Sequence, residues 1–128
     1  MSISNDAKFK LYGEKCDQLL KESEIRFAAI IDKDGKTIAG GFKERLYKYE
    51  DDEGRLQAFF KFVSKASMRK DYDENLGPIN YLAARRDKVV LVSFPFPVSE
   101  ITLLISAEPT VNIETLAKKA VDIISNVN

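Results

Sequence analysis

The sequence predicts an α/β sandwich of the α+β kind: one five-stranded antiparallel sheet with helices packed on its faces, in the order α-β-β-α-β-β-β-α. Three observations predict it. Amphipathic stretches of helical period open the chain, stand in its middle and close it. Short apolar runs rich in β-branched residues lie between them, two before the middle helix and three after. Turn chemistry joins consecutive runs, as hairpins require. A chain of 128 residues fits one domain, 1–128, and buries about two-thirds of the surface its unfolded form exposes.

Phe9, Tyr12, Cys16, Leu19 and Leu20 recur at three- and four-residue steps, which places one apolar stripe on a helix from about Asn5 to Glu22. Gly13 weakens that helix by about 1 kcal/mol relative to alanine. Cys16 lies within the stripe, where packing is its expected role. From Ile25 to Ile31 both alternations are apolar, Phe27/Ala29/Ile31 and Ala28/Ile30, so a strand covered on both faces is expected. Asp32-Lys33-Asp34-Gly35 supplies turn chemistry, and Lys36 to Gly40 resumes as the hairpin partner. The D-x-D-G spacing also matches the start of a calcium loop, but Lys43 stands where the bidentate glutamate belongs. Gly40-Gly41 lacks the spacing and the lysine of a phosphate loop. Phe42 to Gly54 is charged and irregular, and its Glu50-Asp51-Asp52-Glu53 run suits the N-terminus of the next helix.

The middle helix is expected from Asp52 or Glu53 to Lys70. At about 100° per residue, Leu56, Phe59, Phe60, Val63 and Ser67 share a face, with Phe62 and Ala66 to one side of it. This arc is wider than contact with one sheet requires. Either the helix is deeply buried in its own domain or part of the arc meets a partner; the second is favoured in so small a domain. Leu76-Gly77-Pro78 stops the helix, and Ile79, Tyr81 and Ala83 then alternate with Asn80, Leu82 and Ala84 in a third strand. Arg85-Arg86-Asp87-Lys88 is a charged turn before the continuous apolar run from Val89 to Phe94, a central strand. Pro95 and Pro97 lack N–H groups on one side, so the ladder ends there or the strand lies at an edge. Ile101 to Ser106 is the last strand. Asn112 is a good N-cap, with Val111 and Leu116 placed for a hydrophobic staple. Ile113, Leu116, Ala117, Ala120, Val121, Ile124 and Val127 complete the closing stripe.

Composition narrows the function. Lysine and arginine number 20, as do aspartate and glutamate, so no global field steers the chain to nucleic acid or to a membrane. A single cysteine forbids an internal disulfide and favours a reducing compartment. Residues 1–10 lack the apolar core of a secretory signal, and no run approaches the ~20 apolar residues of a membrane span. A cytoplasmic protein is expected. The absence of histidine removes the commonest general base and metal ligand. Ser93 and Ser106 lie on strands without a histidine partner, and Asp51/Asp52 and Asp71/Asp73 lack the apolar setting that raises a carboxyl pKa. No catalytic residue, metal or cofactor is assigned, and no enzyme is expected. Arg69, Lys70, Arg85, Arg86 and Lys88 form the one basic concentration. Arg69 and Lys70 suit a helix C-terminus and the others solvate a turn; joined as a patch, with Tyr72 and Tyr81 for stacking, they would bind phosphate or nucleic acid.

The stretch from Phe27 through Asp32-Lys33-Asp34-Gly35 to Ala39 resembles the opening hairpin of the Roadblock/LC7 family, in the profilin-like and longin-like group, and the element order is similar over nearly the whole chain. Arg26-Phe27-Ala28, Ala39-Gly40-Gly41-Phe42, Met68-Arg69-Lys70, Leu76-Gly77-Pro78, Arg85-Arg86-Asp87-Lys88-Val89 and Ser93-Phe94-Pro95 resemble an uncharacterised family of small archaeal proteins, which carries no activity over. The Roadblock/LC7 resemblance implies a non-catalytic homodimer, joined through the middle helix and the next strand, that serves as a scaffold or regulator of a small GTPase or similar partner. Its interface would be Phe59, Phe62 and Ala66 with Ile79, Tyr81 and Ala83. The charged insert from Lys43 to Glu53 and the Pro95/Pro97 pair depart from the family pattern. The alternative is a small-molecule sensor of profilin-like or PAS-like type, with an apolar pocket between sheet and helix. Nucleic-acid binding through Arg85/Arg86 is a lower alternative.

Overall fold

The structure, a computed structural model, describes residues 5–43, 53–97 and 99–125. The acidic run Glu50-Asp51-Asp52, most of the Lys43–Glu53 insert, the side chain of Leu56, and Val127 lie outside the described residues. The elements are α1 (Asn5–Leu20), β1 (Ile25–Asp32), β2 (Thr37–Phe42), α2 (Glu53–Ser67), α3 (Asp73–Leu76), β3 (Leu82–Arg85), β4 (Val90–Phe96), β5 (Ile101–Ala107) and α4 (Ile113–Ser125). All strand pairs are antiparallel, in the order β2-β1-β5-β4-β3. The last strand in sequence is therefore central, and β5 is buried at every position.

Both alternations of β1 are buried, as its composition demands. A register shift between Ile25 and Phe27 puts Ile25, Ala28 and Ile30 in one core and Phe27, Ala29 and Ile31 in the other. The hairpin that follows is closed by its own carboxylate: Asp32 Oδ1 accepts from the Asp34 and Lys36 N–H groups, each at 2.9 Å. Gly35 takes the left-handed φ of +81°. The spacing that matched a calcium loop thus serves a turn. At the other end of the chain, Asn112 Oδ1 caps α4 by accepting from the Thr115 N–H at 2.9 Å.

The two faces are covered unequally. α1 and α4 cover one face, packing Cys16, Leu19, Leu116, Ala117 and Ala120 on Val90, Val92, Leu103 and Ile105. Among the described residues, α2 alone covers the other, over the small cluster Phe27, Ala29, Ile31, Phe60 and Leu104. Five strands about 4.8 Å apart make a sheet about 20 Å wide, whereas one helix is about 10–12 Å across. Among the described residues, part of the sheet beside α2 is left uncovered.

The structure corrects several expected boundaries. α2 ends at Ser67, not Lys70, and the unexpected turn α3 follows. β3 begins at Leu82, not Ile79. Its register with β4 runs from Arg85↔Val90 to Leu82↔Ser93. Extended, that register would set Asn80 against Pro95, which has no N–H to give, so the ladder stops. On its other side β4 continues to pair with β5 through Pro95↔Thr102 and Phe96↔Ile101. Two residues placed on apolar stripes lie outward: Phe9 is 43% and Val121 51% exposed.

Candidate interaction face

α2 is seated by hydroxyls as well as by Phe60. Ser67 Oγ donates to the Val63 carbonyl at 2.8 Å and lies 2.7 Å from Ser93 Oγ. A hydroxyl has one proton, so Ser93 is the donor to Ser67. One turn earlier, Ser64 Oγ lies 3.4 Å from Thr102 Oγ1. All four side chains are buried. Sequence reasoning placed Ser67 on a helix face and Ser93 on a strand without joining them, because the strands under the helix depend on sheet order. Ser67→Ala leaves the buried Ser93 hydroxyl without its acceptor and is expected to cost about 1–2 kcal/mol. Adding Ser93→Ala is expected to cost less than the sum of the single changes, which a double-mutant cycle in urea measures.

The rest of the α2 arc faces outward. Phe62 is 68% exposed, Phe59 is 37% exposed and Ala66 is half-buried. β3 beside it is exposed at every position. Leu82 and Ala84 stand opposite Ser93 and Leu91, on the α2 side of the sheet. Between helix and strand runs a groove of about 240 Å³ that includes Phe62, Val63, Ala66, Leu82 and Leu91, with Arg86 its one charged wall residue. Phe59 and Ala83 also line it.

Of the six residues expected from sequence, four meet in this groove and two do not. Ile79 and Tyr81 precede β3. The Tyr81 ring lies 5.9 Å from Phe94, on the face covered by α1 and α4, and its hydroxyl donates to Glu114 of α4. The expected alternation was off by one residue, so that Leu82 and Ala84 share the α2 face instead. The available signal was size: Leu82 is the larger apolar residue on the other alternation.

The basic residues are distributed over different surroundings. Arg69 pairs with Asp71. The Arg85 guanidinium donates to the Pro109 carbonyl and, at 2.7 Å, to the Val111 carbonyl, in the loop before α4. Arg86 instead borders the α2 groove. Lys70 and Lys88 are exposed. Neighbouring residues at the end of an edge strand thus serve opposite faces.

Ionic contacts fasten α4 to the rest of the domain. Lys119 Nζ lies 3.3 Å from Glu22 and 3.1 Å from Glu24. The hydrogen bonds that Lys119 donates to Glu24 and Glu22 raise its pKa, and the bond that Tyr81 donates to Glu114 raises that of Tyr81. Both contributions are complete below the ordinary values of 10.5 and 10.0 and are lost as pH rises through the folded values. The carboxyl of Glu24 is lowered by its own backbone N–H and by Lys119, and that of Glu108 by Arg26. Their contributions are complete above 4.5 and are lost as pH falls through the lowered values. The melting temperature is expected to fall at alkaline pH, and Tyr81→Phe with Lys119→Met is expected to flatten that limb; the acid limb keeps the Glu108 contribution and loses the part of the Glu24 contribution that Lys119 supplies. Cys16 takes no part: burial pushes its thiol up to about 11, and it packs as an apolar residue.

The element order, the single antiparallel sheet and its unequal cover define a Roadblock/LC7-like fold. The Roadblock/LC7 domain from Streptomyces avermitilis matches with a TM-score of 0.65 at 12% identity, over 90% of this chain and 92% of that one. Myxococcus xanthus MglB matches with a TM-score of 0.68 at 16% identity, over 99% and 93%. An MglB with a tetrameric arrangement matches with a TM-score of 0.58 at 14% identity, over 100% and 96%. The chain belongs to DUF6659, a family of unknown function, which matches residues 4–127. No curated protein matches it. Among the described residues, no helix is long and apolar enough to cross a membrane.

Proposed function

We propose that this chain is a non-catalytic interaction domain that acts as a homodimer, its copies meeting through α2 and β3. The observation that carries this is Phe62, 68% exposed beside an apolar groove and next to a strand at the end of the sheet. A two-fold interface must be self-complementary, and this face offers a projecting ring, a groove and an unpaired strand edge side by side. In this reading Phe59, Phe62 and Ala66 form the helix side of the contact, and Leu82 and Ala84, with Ala83 at the groove wall, form the strand side in place of Ile79 and Tyr81. The non-catalytic part is supported by the lack of histidine and by Ser67 and Ser93, whose buried hydroxyls are spent on docking α2. We assign the dimer, on the Roadblock/LC7-like fold, the role of a cytoplasmic scaffold or regulator of a small GTPase.

The sensor alternative fits less well. The α2 groove, at about 240 Å³, is smaller than the ~300 Å³ at which small-molecule sites begin; the larger concavities, about 510 Å³ beside α3 and about 680 Å³ between Tyr81 and α4, are walled by exposed and charged side chains rather than by a converging set of buried polar groups. Nucleic-acid binding is disfavoured by the divergence of Arg85 and Arg86. Sedimentation equilibrium tests the dimer. The 14.5 kDa chain is expected to show twice its mass, and the Phe62→Glu chain the single mass. A wild-type monomer at all accessible concentrations overturns the proposal.

A further inference from the structure

The connection between α2 and β3 projects from the domain. None of the residues of α3 is buried. Its backbone is nonetheless closed: the Leu76 N–H donates to the Tyr72 carbonyl at 2.8 Å and the Gly77 N–H to the Asp73 carbonyl at 2.9 Å. Gly77, at φ +81°, then turns the chain into Pro78. This frame holds out Tyr72, 67% exposed, and Leu76, 79% exposed. A concavity of about 510 Å³ lies between the arm and the end of α2, with Ala66, Tyr72, Leu76 and Leu82 among its walls. Ala66 and Leu82 also line the groove between α2 and β3. Groove and concavity therefore adjoin, with Arg69, Asp71 and Asp73 as the charged part of the concavity's wall, so a molecule that covers Phe62 and Leu82 is brought alongside Leu76.

Area selects the extent of the contact. A stable interface removes roughly 800 Å² from each partner. With roughly 200 Å² for a large side chain, the exposed parts of Phe59, Phe62 and Leu82 come to about 300 Å². Tyr72 and Leu76 bring about as much again. Among the described residues, helix and strand alone supply too little apolar surface; with the arm, the apolar centre nears what a dimer needs, and a polar rim supplies the rest. A contiguous patch of this size stands at the upper end of what a free monomer shows, about 300–600 Å².

We propose that the α3 arm is part of the contact between two copies of this chain, with Tyr72 and Leu76 packing on the second copy beside the α2–β3 face. The inference rests on the dimer proposed above. In a two-fold assembly the arm acts twice, so one substitution removes two contacts. Both side chains stand clear of the domain core, so their loss leaves the monomer fold intact.

A dilution series by analytical ultracentrifugation on the wild type, Leu76→Ser, the double change Tyr72→Ser with Leu76→Ser, and Phe62→Glu tests it. Leu76→Ser is expected to weaken the dimer about 10-fold and the double change about 100-fold, with unchanged melting of the dilute monomer. A double variant with the wild-type dissociation constant, beside a monomeric Phe62→Glu, overturns the arm and leaves the α2–β3 dimer standing. Dissociation of the double variant beside a dimeric Phe62→Glu supports the arm and removes the helix from the contact. A wild type that is monomeric throughout, or variants that all remain dimeric, overturns both.

Discussion

A Gly40→Ala chain is expected to lose about 3–5 kcal/mol of folding stability, a large share of what holds a domain of this size. Gly40 lies in β2 opposite Ala29, with φ at +84°. A Cβ there would come to 2.1 Å from the Ala28 carbonyl oxygen, 2.8 Å from the Ala29 Cα and 2.9 Å from Cys16 Sγ. The first two atoms belong to the backbone of β1, which is paired on both sides and buried on both faces, so it cannot retreat. The left-handed φ adds about 1–2 kcal/mol of its own for an L-residue. Cys16 is the one neighbour that can be trimmed. Adding Cys16→Ala removes the sulfur contact and leaves the backbone contacts, so it is expected not to restore stability. Urea midpoints of the single and double variants check this; recovery in the double variant would shift the cause from β1 to α1.

Phe62→Glu is expected to separate the copies without harming the fold. Phe62 is 68% exposed, so its loss should change monomer stability by about 0.5 kcal/mol or less. Glutamate is also a better helix former than phenylalanine. In the dimer the same change would bury a carboxylate from each copy on an apolar face where Arg86 is the one charged residue of the groove wall, so desolvation is expected to outweigh any pairing. The expected weakening is at least about 100-fold. Phe60, two residues away, provides the contrast: it is 6% exposed and its ring lies 5.6 Å from Phe27, so Phe60→Glu is expected to unfold the chain. Mass and melting temperature read together separate the two cases. An unchanged mass for a folded Phe62→Glu would remove α2 from the interface.

Where a local signal was strong, the sequence was sufficient. The Asp32 turn and the Asn112 cap form as their residues require, because each is closed by a side chain acting within four residues of itself. The double apolar alternation of Ile25 to Ile31 announced a strand covered on both faces, and β1 is that strand. The surplus width of the apolar arc on α2 was also legible, since it depends only on angular spacing. The alternation from Ile79 places the start of β3 too early, although Pro95, the residue that ends the ladder, stands in the sequence. The proline bears on Asn80 only through the register between β3 and β4. The same register decides that Leu82 and Ala84, not Tyr81 and Ala83, share the α2 side.

The sequence by itself determined the element types, their order, the turn and cap chemistry, and the apolar excess of the middle helix, all of which arise from neighbours a few residues apart. Only the tertiary structure decided that β5 lies at the centre of the sheet, that Ser67 meets Ser93, and that Arg85 and Arg86 diverge. It also decided that the α3 arm continues the α2–β3 face. Those outcomes depend on strand order and register, which are set by contacts between distant parts of the chain. A one-residue slip in such a contact reverses the face on which every side chain of the strand stands.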